Sequence, residues 1–321
     1  MNPPSPLPAV DLPPLTISLG ASAVPALEPG LPVLAGPTEE SLFPEAQWAG
    51  PSGLLQLFRA GAWHVGGASV PIAHGLEQAT REVYTALFAA TRGLHLARIW
   101  HYIPAINEAG PGGLENYRAF CRGRSLAFEG HHGPAFKGLL PAASAVGARS
   151  NALTIVFAAT TLTPRHVENP LQIPAYDYPS DYGPRAPSFA RATVVAHPAS
   201  ATVYISGTAA IRGHATVAPH RFQTQLECTL ENLRGISQAC GLGPDLDRAG
   251  QSARHFKVYL RHATDHPAAA SALQRHLLRP SDRVSYLRAD ICRESLLIEI
   301  EATLTGVQLS HASRPAGHPS S

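Results

Sequence analysis

A strong charge of either sign is missing from this sequence of 321 residues, and so are long apolar runs. Its 25 lysines and arginines against 23 aspartates and glutamates leave a net charge of +2, which gives no electrostatic reason to expect nucleic acid or an anionic membrane as a partner. No apolar run approaches the roughly 18 residues of a membrane-spanning helix, and the amino terminus lacks a positively charged start. These absences predict a cytoplasmic protein.

Metal-binding patterns are scarce as well. The four cysteines contain no CxxC pair and lack a secretory context, so we expect reduced thiols rather than disulfides or a zinc site. The chain has 16 histidines, but His131 and His132 are adjacent rather than spaced along one face, and His255, His262 and His266 lack companion carboxylates in a recognised arrangement. We therefore predict no metal site.

The chain repeats one order of elements: helix, strand, helix and two strands. In the first half these are HGLEQATREVYTALFAATRG, LHLARIWHYIP, GGLENYRAFCRGRSLAF, and the pair PAASAVG and ALTIVFAAT. In the second half they are QTQLECTLENLRGISQAC, HFKVYLRHA, AAASALQRHLL, and two strands between Ser285 and Thr303. This repetition predicts an α+β fold of two similar units, each a small mixed sheet with two helices on one face, joined around an internal cleft.

Composition divides the chain into five parts. Residues 1–53 are rich in Pro, Gly and Ala, which predicts an irregular arm packed over the body. We expect the two units at residues 54–165 and 199–306, the second of them catalytic, with a bridge rich in Pro, Tyr and Arg at 166–198. Residues 307–321 are expected to form a flexible tail.

The stretch SYLRADICRESLLIEIEAT, residues 285–303, is the most informative part of the sequence. We interpret it as a hairpin of two strands joined by a turn at Glu294-Ser295. The alternation of a pleated strand then puts Leu287 and Ile298 on one apolar face and Glu299 on the opposite, polar face. In that pairing Asp290 lies directly across from Glu299.

Glu299 is the candidate general acid. Leu297, Ile298 and Ile300 flank it, and both an apolar setting and a facing carboxylate raise the pKa of a carboxyl group, which then keeps its proton near neutrality. The alternative is a solvated ladder of charges that includes Glu301. A cleft is the favoured interpretation, because each sheet is expected to cover the free face of the other.

The bridge contains ENPLQIPAYDYPSDYGPRAPSFARA, in which five prolines restrict the chain. They would present Tyr176, Tyr178, Tyr182, Arg185 and Arg191 in a rather fixed array. Guanidinium groups bind carboxylates through paired hydrogen bonds, so the two arginines indicate a small organic acid as ligand. An ordinary surface linker is the alternative.

Five motifs together resemble the chorismatase family, which includes 3-hydroxybenzoate synthases. They are RIWHYIPAINE, LENYRAFCRGRSLAF, the bridge sequence, YISGTAAIRGH and YLRADICRESLLIEIEA, and the resemblance spans roughly residues 95 to 305. The second half, with SGT, KVYL and IEIEA, is also similar to the YjgF/RidA superfamily. That resemblance implies a unit made of one sheet with two helices on one face.

The family resemblance implies a reaction and a set of site residues. The reaction is conversion of chorismate, with release of pyruvate, without metal or organic cofactor. Glu299 matches the family's catalytic glutamate, which would protonate the methylene carbon of the enolpyruvyl ether. Tyr182 and Arg185, with Tyr178 and Arg191 as helpers, would hold the two substrate carboxylates.

Two further positions bear on the product. In this family a cysteine at the position of Cys292 goes with formation of 3-hydroxybenzoate, and a thiolate nucleophile is not expected there because no neighbouring His or Lys would stabilise it. Ala209, in SGTAAI, is the other product-tuning position, where aromatising members favour glycine. The small residues around it would let a ligand approach the backbone, or would simply allow a tight bend. The resemblance thus implies 3-hydroxybenzoate, with a dihydroxycyclohexadiene carboxylate or 4-hydroxybenzoate as alternatives.

Functions of other classes remain open at this point. A RidA-like deaminase would share the sheet and a glutamate, but it would be expected as a compact single unit that trimerises. A noncatalytic small-molecule binding protein would retain its ligand without turnover. The sequence leaves the oligomeric state open between a monomer and a small homo-oligomer.

Overall fold

The structure is a computed structural model, and it describes residues 12–21 and 24–308. Two mixed β-sheets pack face to face, and each carries two α-helices on its outer face. The start of the predicted arm and nearly all of the predicted tail lie outside the described residues. None of the helices in the described part of the chain is long and apolar enough to cross a membrane.

The amino-terminal unit has a six-stranded sheet. Helices α1 (Leu76–Ala90) and α2 (Asn116–His132) cover one face of it, because each buries a stripe of apolar residues at helical spacing, such as Val83, Leu87 and Phe120. In spatial order the strands are β4 (Gln47–Ser52), β5 (Leu55–Ala60), β6 (Trp63–Pro71), β9 (Ala152–Thr160), β7 (His95–Pro104) and β8 (Ala142–Ala148).

The carboxy-terminal unit has a seven-stranded sheet covered by α3 (Phe222–Cys240) and α4 (His266–His276). Its last strand, β2, comes from the amino-terminal segment and extends the sheet at one edge. In spatial order the strands are β10 (Arg165–Val167), β11 (Ala192–Ala196), β12 (Ala201–Ala209), β17 (Ile298–Val307), β15 (Ala253–Leu260), β16 (Arg283–Arg288) and β2 (Val33–Ala35).

The two units share one topology. The order β5-β6-β9-β7-β8 in the first sheet corresponds to β11-β12-β17-β15-β16 in the second. In each, a helix connects a pair of parallel strands, β7 with β8 and β15 with β16. The prediction of two similar α+β units, each with two helices on one face, is confirmed. The unit that the YjgF/RidA resemblance implied is present twice.

The predicted hairpin of residues 285–303 is wrong. β15 lies between β16 and β17 and pairs with both, so Tyr259 is the neighbour of Leu287 on one side and of Glu299 on the other. Leu287 therefore faces the sheet junction together with Glu299, not the opposite face. Asp290 lies in the connection between the strands, where it is exposed and pairs with Arg261.

The hairpin prediction fails because a crossover connection through α4 places β16 beside β15 instead of beside β17. α4 returns the chain parallel to β15, and the final strand then adds antiparallel to the other edge of β15. β8 and β9 are separated by β7 in the same way. Alternation within β17 was nonetheless predicted correctly: Ile298 and Ile300 pack under the helices, and Glu299 points to the junction.

The amino-terminal segment is not irregular throughout. Short strands β1 (Thr16–Ser18) and β3 (Glu39–Ser41) pair with each other, while β2 and β4 extend the two sheets. Leu15 and Ile17 are fully buried in the core between the sheets, beside Trp100 and Tyr259. The segment forms strands because both sheets offer it unpaired edges and an apolar junction.

Candidate active site

A cavity of about 290 Å³ opens between the two units, at the end of the junction nearest the bridge. α2, β8 and the bridge contribute one part of its wall. β12, the connection before β17, and the start of β17 contribute the rest. The cavity therefore draws its side chains from both halves of the chain, as the internal cleft expected from the repeat requires.

Glu299 lies at the buried end of this cavity and is only 4% exposed. In the sheet it stands between Ala209 on β12 and Tyr259 on β15. The backbone of Gly207 passes directly beside the carboxyl group: a Cβ atom there would lie 1.9 Å from Oε1 of Glu299. β12 has an irregular register between Ile205 and Thr208, which brings this glycine against the carboxyl.

Burial raises the pKa of Glu299 to about 8, and the nearby charge of Glu301 contributes to the same shift. The positive charges of Arg98 and Arg191 oppose the shift without cancelling it. Glu299 is consequently protonated at neutral pH and can donate a proton to a group in the cavity.

Glu301, two residues further along the same strand face, has the opposite character. Its Oε2 accepts a hydrogen bond from Arg98 Nη2 at 2.7 Å and another from the hydroxyl of Ser144. Its Oε1 accepts one from Trp100 Nε1 at 2.8 Å and lies 3.2 Å from Lys257 Nζ. Lys257 and Arg98 together lower the pKa of Glu301 to about 2 despite its burial. Glu301 is therefore permanently ionised.

Two guanidinium groups at the cavity wall have unused donors. Arg124, on α2, is 2% exposed, and its Nε and Nη2 have no hydrogen-bond partner among the described residues. Arg191 donates from Nη2 to the hydroxyl of Tyr178 at 2.8 Å, but its Nε is also buried, and no described residue accepts a hydrogen bond from it. Buried donors without partners are costly, so both groups are suited to an anionic ligand.

The bridge folds over the cavity. Its two short 3₁₀ helices, Ala175–Asp177 and Ser180–Tyr182, place Tyr178 and Tyr182 at the cavity wall. The Tyr182 hydroxyl lies 3.1 Å from Nδ1 of His214, and the guanidinium of Arg293 stacks 4.1 Å from the centre of the Tyr182 ring. This packing holds the Tyr182 ring in place.

Arg185 is not brought to the cavity. Its Nη2 lies 2.9 Å from a carboxylate oxygen of Glu129 on α2, and both side chains are more than a third exposed. The other predicted site residues do line one cavity, and they are Glu299, Cys292, Ala209, Tyr178, Tyr182 and Arg191. A role for Arg185 in substrate binding stays a prediction from the resemblance, and the observed geometry does not favour it.

Cys292 faces the cavity from the connection before β17. Burial, followed by the charge of Glu299, raises the pKa of the Cys292 thiol to about 12, so it is a neutral thiol rather than a nucleophilic thiolate. A second thiol, Cys121 on α2, lines the same cavity, and burial raises its pKa to about 12 as well. Both thiols act as small apolar groups in the wall.

Sequence reasoning missed Arg124, Arg98 and Ser144. For Arg124 a signal existed: it falls within the apolar stripe of α2, between Cys121 and Phe128, where a charged residue needs an explanation. Arg98 and Ser144 lie on strands of the first unit and reach Glu301 across the junction, so no local pattern could have linked them.

Comparisons with known proteins identify the family of this chain. Residues 44–159 match the family model described as Chorismatase FkbO/Hyg5-like, N-terminal. A 3-hydroxybenzoate synthase of Streptomyces hygroscopicus is 35% identical over 73% of this chain and 72% of its own length. A chorismatase of Streptomyces rapamycinicus is 35% identical over 84% of this chain and 80% of its own length.

The fold of this chain is also similar to that of a solved chorismatase. A chorismatase crystal structure superposes with a TM-score of 0.72 at 33% identity, covering 81% of this chain and 79% of that one. The chain belongs to the chorismatase family. The relatives that this chain resembles include a protein named chorismatase and a protein named 3-hydroxybenzoate synthase.

Proposed function

We propose that this protein converts chorismate with release of pyruvate, and that Glu299 donates the proton that starts the reaction. One observation carries the proposal: a buried carboxyl with a pKa of about 8 shares a cavity with two guanidinium groups, each of which has at least one nitrogen without a hydrogen-bond partner among the described residues. Chorismate, an acid-labile enol ether with two carboxylates, needs both features in one site.

Arg124 and Arg191 are the proposed carboxylate-binding groups. Each is buried, each has at least one guanidinium nitrogen without a partner, and chorismate has one carboxylate for each. Tyr178 keeps Arg191 in position through its hydroxyl, and Tyr182 adds an aromatic wall. Fixing both ends of the substrate would set the methylene carbon against Glu299.

Protonation of that methylene carbon by Glu299 forms an oxocarbenium ion at the side chain and leaves a carboxylate behind. The new carboxylate of Glu299 favours the positive charge that forms in the substrate. Cleavage of the bond between the ring carbon and the ether oxygen then releases pyruvate, the neighbouring ring hydroxyl shifts to that carbon, and the ring proton lost on aromatisation returns to the Glu299 carboxylate. No electron is transferred to or from the substrate, so the proposed reaction requires no redox cofactor, and we propose that Glu299 supplies the acid without a metal.

For the ring product we propose 3-hydroxybenzoate. Chorismate has the same atoms as 3-hydroxybenzoate plus pyruvate, so this route consumes no water, whereas hydrolysis to a dihydroxycyclohexadiene carboxylate adds one. Cys292 lines the cavity with Glu299, which supports the first route through the family resemblance. Ala209, the cross-strand neighbour of Glu299, departs from the glycine of aromatising members and makes hydrolysis the second candidate. We also propose that the protein acts in the cytoplasm, as a monomer or small homo-oligomer.

The test is to incubate the purified, chelator-treated protein with chorismate and to follow pyruvate by a coupled assay. The ring product is identified by chromatography against standards of 3-hydroxybenzoate, 4-hydroxybenzoate and the dihydroxycyclohexadiene carboxylate. We expect pyruvate and 3-hydroxybenzoate in equal amounts. Absence of pyruvate would reject the proposed activity, and pyruvate with another ring product would reject only the product assignment.

A further inference from the structure

We propose that Glu40, in the amino-terminal segment, is a positioning residue for the acid: its carboxylate balances the buried cations behind Glu299. The inference rests on the proposed function, because it concerns the same acid. It also gives a role in the chemistry to a segment that lies far from Glu299 in sequence.

Glu40 is 2% exposed, although it belongs to the short strand β3 at the surface of the junction. Its Oε2 lies 2.9 Å from Nζ of Lys257, and its Oε1 lies 3.5 Å from Nδ1 of His255. The adjacent Glu39 is exposed. Of these two neighbouring glutamates, only Glu40 therefore lies among the buried charges.

Lys257 connects Glu40 to the acid site. Its Nζ lies 3.2 Å from Oε1 of Glu301, which in turn binds Arg98 at 2.7 Å through Oε2. Glu40, Lys257, Glu301 and Arg98 form a chain of alternating charge, and none of the four side chains is more than 4% exposed. Glu301, the third member of this chain, lies two residues from Glu299 on the same strand face.

The four charges sum to zero, two cations against two anions. Without the Glu40 carboxylate the cluster would carry one surplus positive charge in a poorly screened interior. A positive charge there would favour the ionised form of Glu299 and so lower its pKa. Glu299 would then lose its proton at a lower pH, and the fraction of enzyme able to donate would fall.

Among the described residues, the other titratable groups that face this cluster do not offset the loss of the Glu40 charge. Burial lowers the pKa of His255, so it is already neutral and has no positive charge to give up. The phenols of Tyr102 and Tyr259 also face this cluster, and burial raises the pKa of each, so both stay neutral. Around Glu299 itself the remaining charged or titratable neighbours are Arg191 and Cys292, and neither contacts Glu40.

The experiment compares Glu40→Gln with its matched control Glu39→Gln, measuring kcat for pyruvate release against pH at saturating chorismate. In Glu40→Gln we expect the midpoint of the alkaline loss of activity to move down by roughly half to one pH unit. Glu39→Gln should keep the wild-type midpoint. An unmoved midpoint in folded Glu40→Gln, or a loss of the same factor at every pH, would show a structural role alone and overturn the proposal.

A double variant, Glu40→Gln with Lys257→Met, removes one charge of each sign and leaves the cluster neutral. We expect its midpoint to return toward that of the wild type; if Glu40→Gln alone does not fold, a double variant whose midpoint lies clearly away from the wild-type value overturns the proposal by itself. A midpoint displaced as far as in Glu40→Gln would contradict the charge-balance argument.

Glu299→Gln, assayed in parallel, separates the proposed function from the role of Glu40. Full activity in Glu299→Gln rejects both. An inactive Glu299→Gln together with an unmoved Glu40→Gln midpoint rejects only the role of Glu40.

Discussion

Glu299 and Glu301 are residues of the same type on the same strand face, yet the pKa of Glu299 is raised and that of Glu301 is lowered from the ordinary value. Glu301 is surrounded by donors and cations, while Glu299 faces the cavity and accepts no hydrogen bond from any residue in the described part of the chain. Neighbouring groups, rather than residue type, decide which carboxyl is the acid and which is the fixed anion.

The most direct prediction concerns the acid itself. Glu299→Gln keeps the size of the side chain but cannot donate an acidic proton, so we expect kcat for pyruvate release to fall roughly 10²- to 10⁴-fold. Binding of chorismate, measured by calorimetry, should be largely intact because the arginines are unchanged. Glu227→Gln, an exposed position on α3, is the control. Full activity in Glu299→Gln would rule out the mechanism.

The pH dependence of activity follows from the same group. Since the protonated form of Glu299 is the active one, kcat should be lost as pH rises through about 8. The free energy of unfolding should also fall as the pH rises. Because the pKa of Glu299 in the folded state lies above its ordinary value of 4.5, the stabilisation from the protonated carboxyl is fully present below pH 4.5 and is lost as the pH rises through about 8. Thermal unfolding of wild type and Glu299→Gln between pH 6 and 9 should therefore show a steeper decline for the wild type.

At the scale of elements, the irregular register of β12 positions the acid. Gly207→Ala places a methyl group where the Glu299 carboxyl lies, and the carboxyl must move by an ångström or more. We expect a loss of kcat of roughly 10²-fold with the fold retained, measured by turnover and by circular dichroism. Gly130→Ala, on α2 with open space around it, is the matched glycine control. Equal turnover in both variants would contradict this role of β12.

Helix α2 supplies the cation that sequence reasoning missed. Arg124→Met should raise KM for chorismate roughly 10- to 100-fold, since a charge-assisted pair with a substrate carboxylate is lost. Arg122→Met, on the same helix but paired with Glu77, is the control.

Arg185→Met tests whether Arg185 binds the substrate, as the family resemblance implies, or lies outside the site, as the observed geometry indicates. We expect little change in KM, and an increase as large as that of Arg124→Met would support the assignment made from the resemblance.

The same elements explain how far the sequence could lead. Alternation in LLIEIEA, a local property, was enough to place Glu299 toward the junction and to predict its raised pKa. The partner of β17 is not a local property, because a strand 40 residues earlier, β15, separates it from β16. The prediction therefore placed Glu299 in the cleft but assigned it Asp290 as its charged neighbour, where the structure has Glu301.

At the scale of the whole molecule, the two units are held together by buried charge as well as by apolar packing. Arg98 on β7 pairs with Glu301 on β17, across the junction. Arg98→Met would leave Glu301 buried with fewer partners, so we expect the free energy of unfolding to fall by about 3–5 kcal/mol, measured in urea. The exposed Arg92→Met should be close to neutral, and an equally small change in Arg98→Met would contradict this view of the junction.

The repeated topology has a consequence for stoichiometry. β9 is the counterpart of β17, and its residues Val156 and Ala158 at the junction are apolar, whereas β17 has Glu299 and Glu301 on its junction face. β9 contains no Asp or Glu, and the first unit contributes Arg98, Arg124 and Ser144 to the junction around Glu299 and Glu301. We therefore expect one catalytic centre for the two units in the described part of the chain, and each unit alone would leave that centre incomplete.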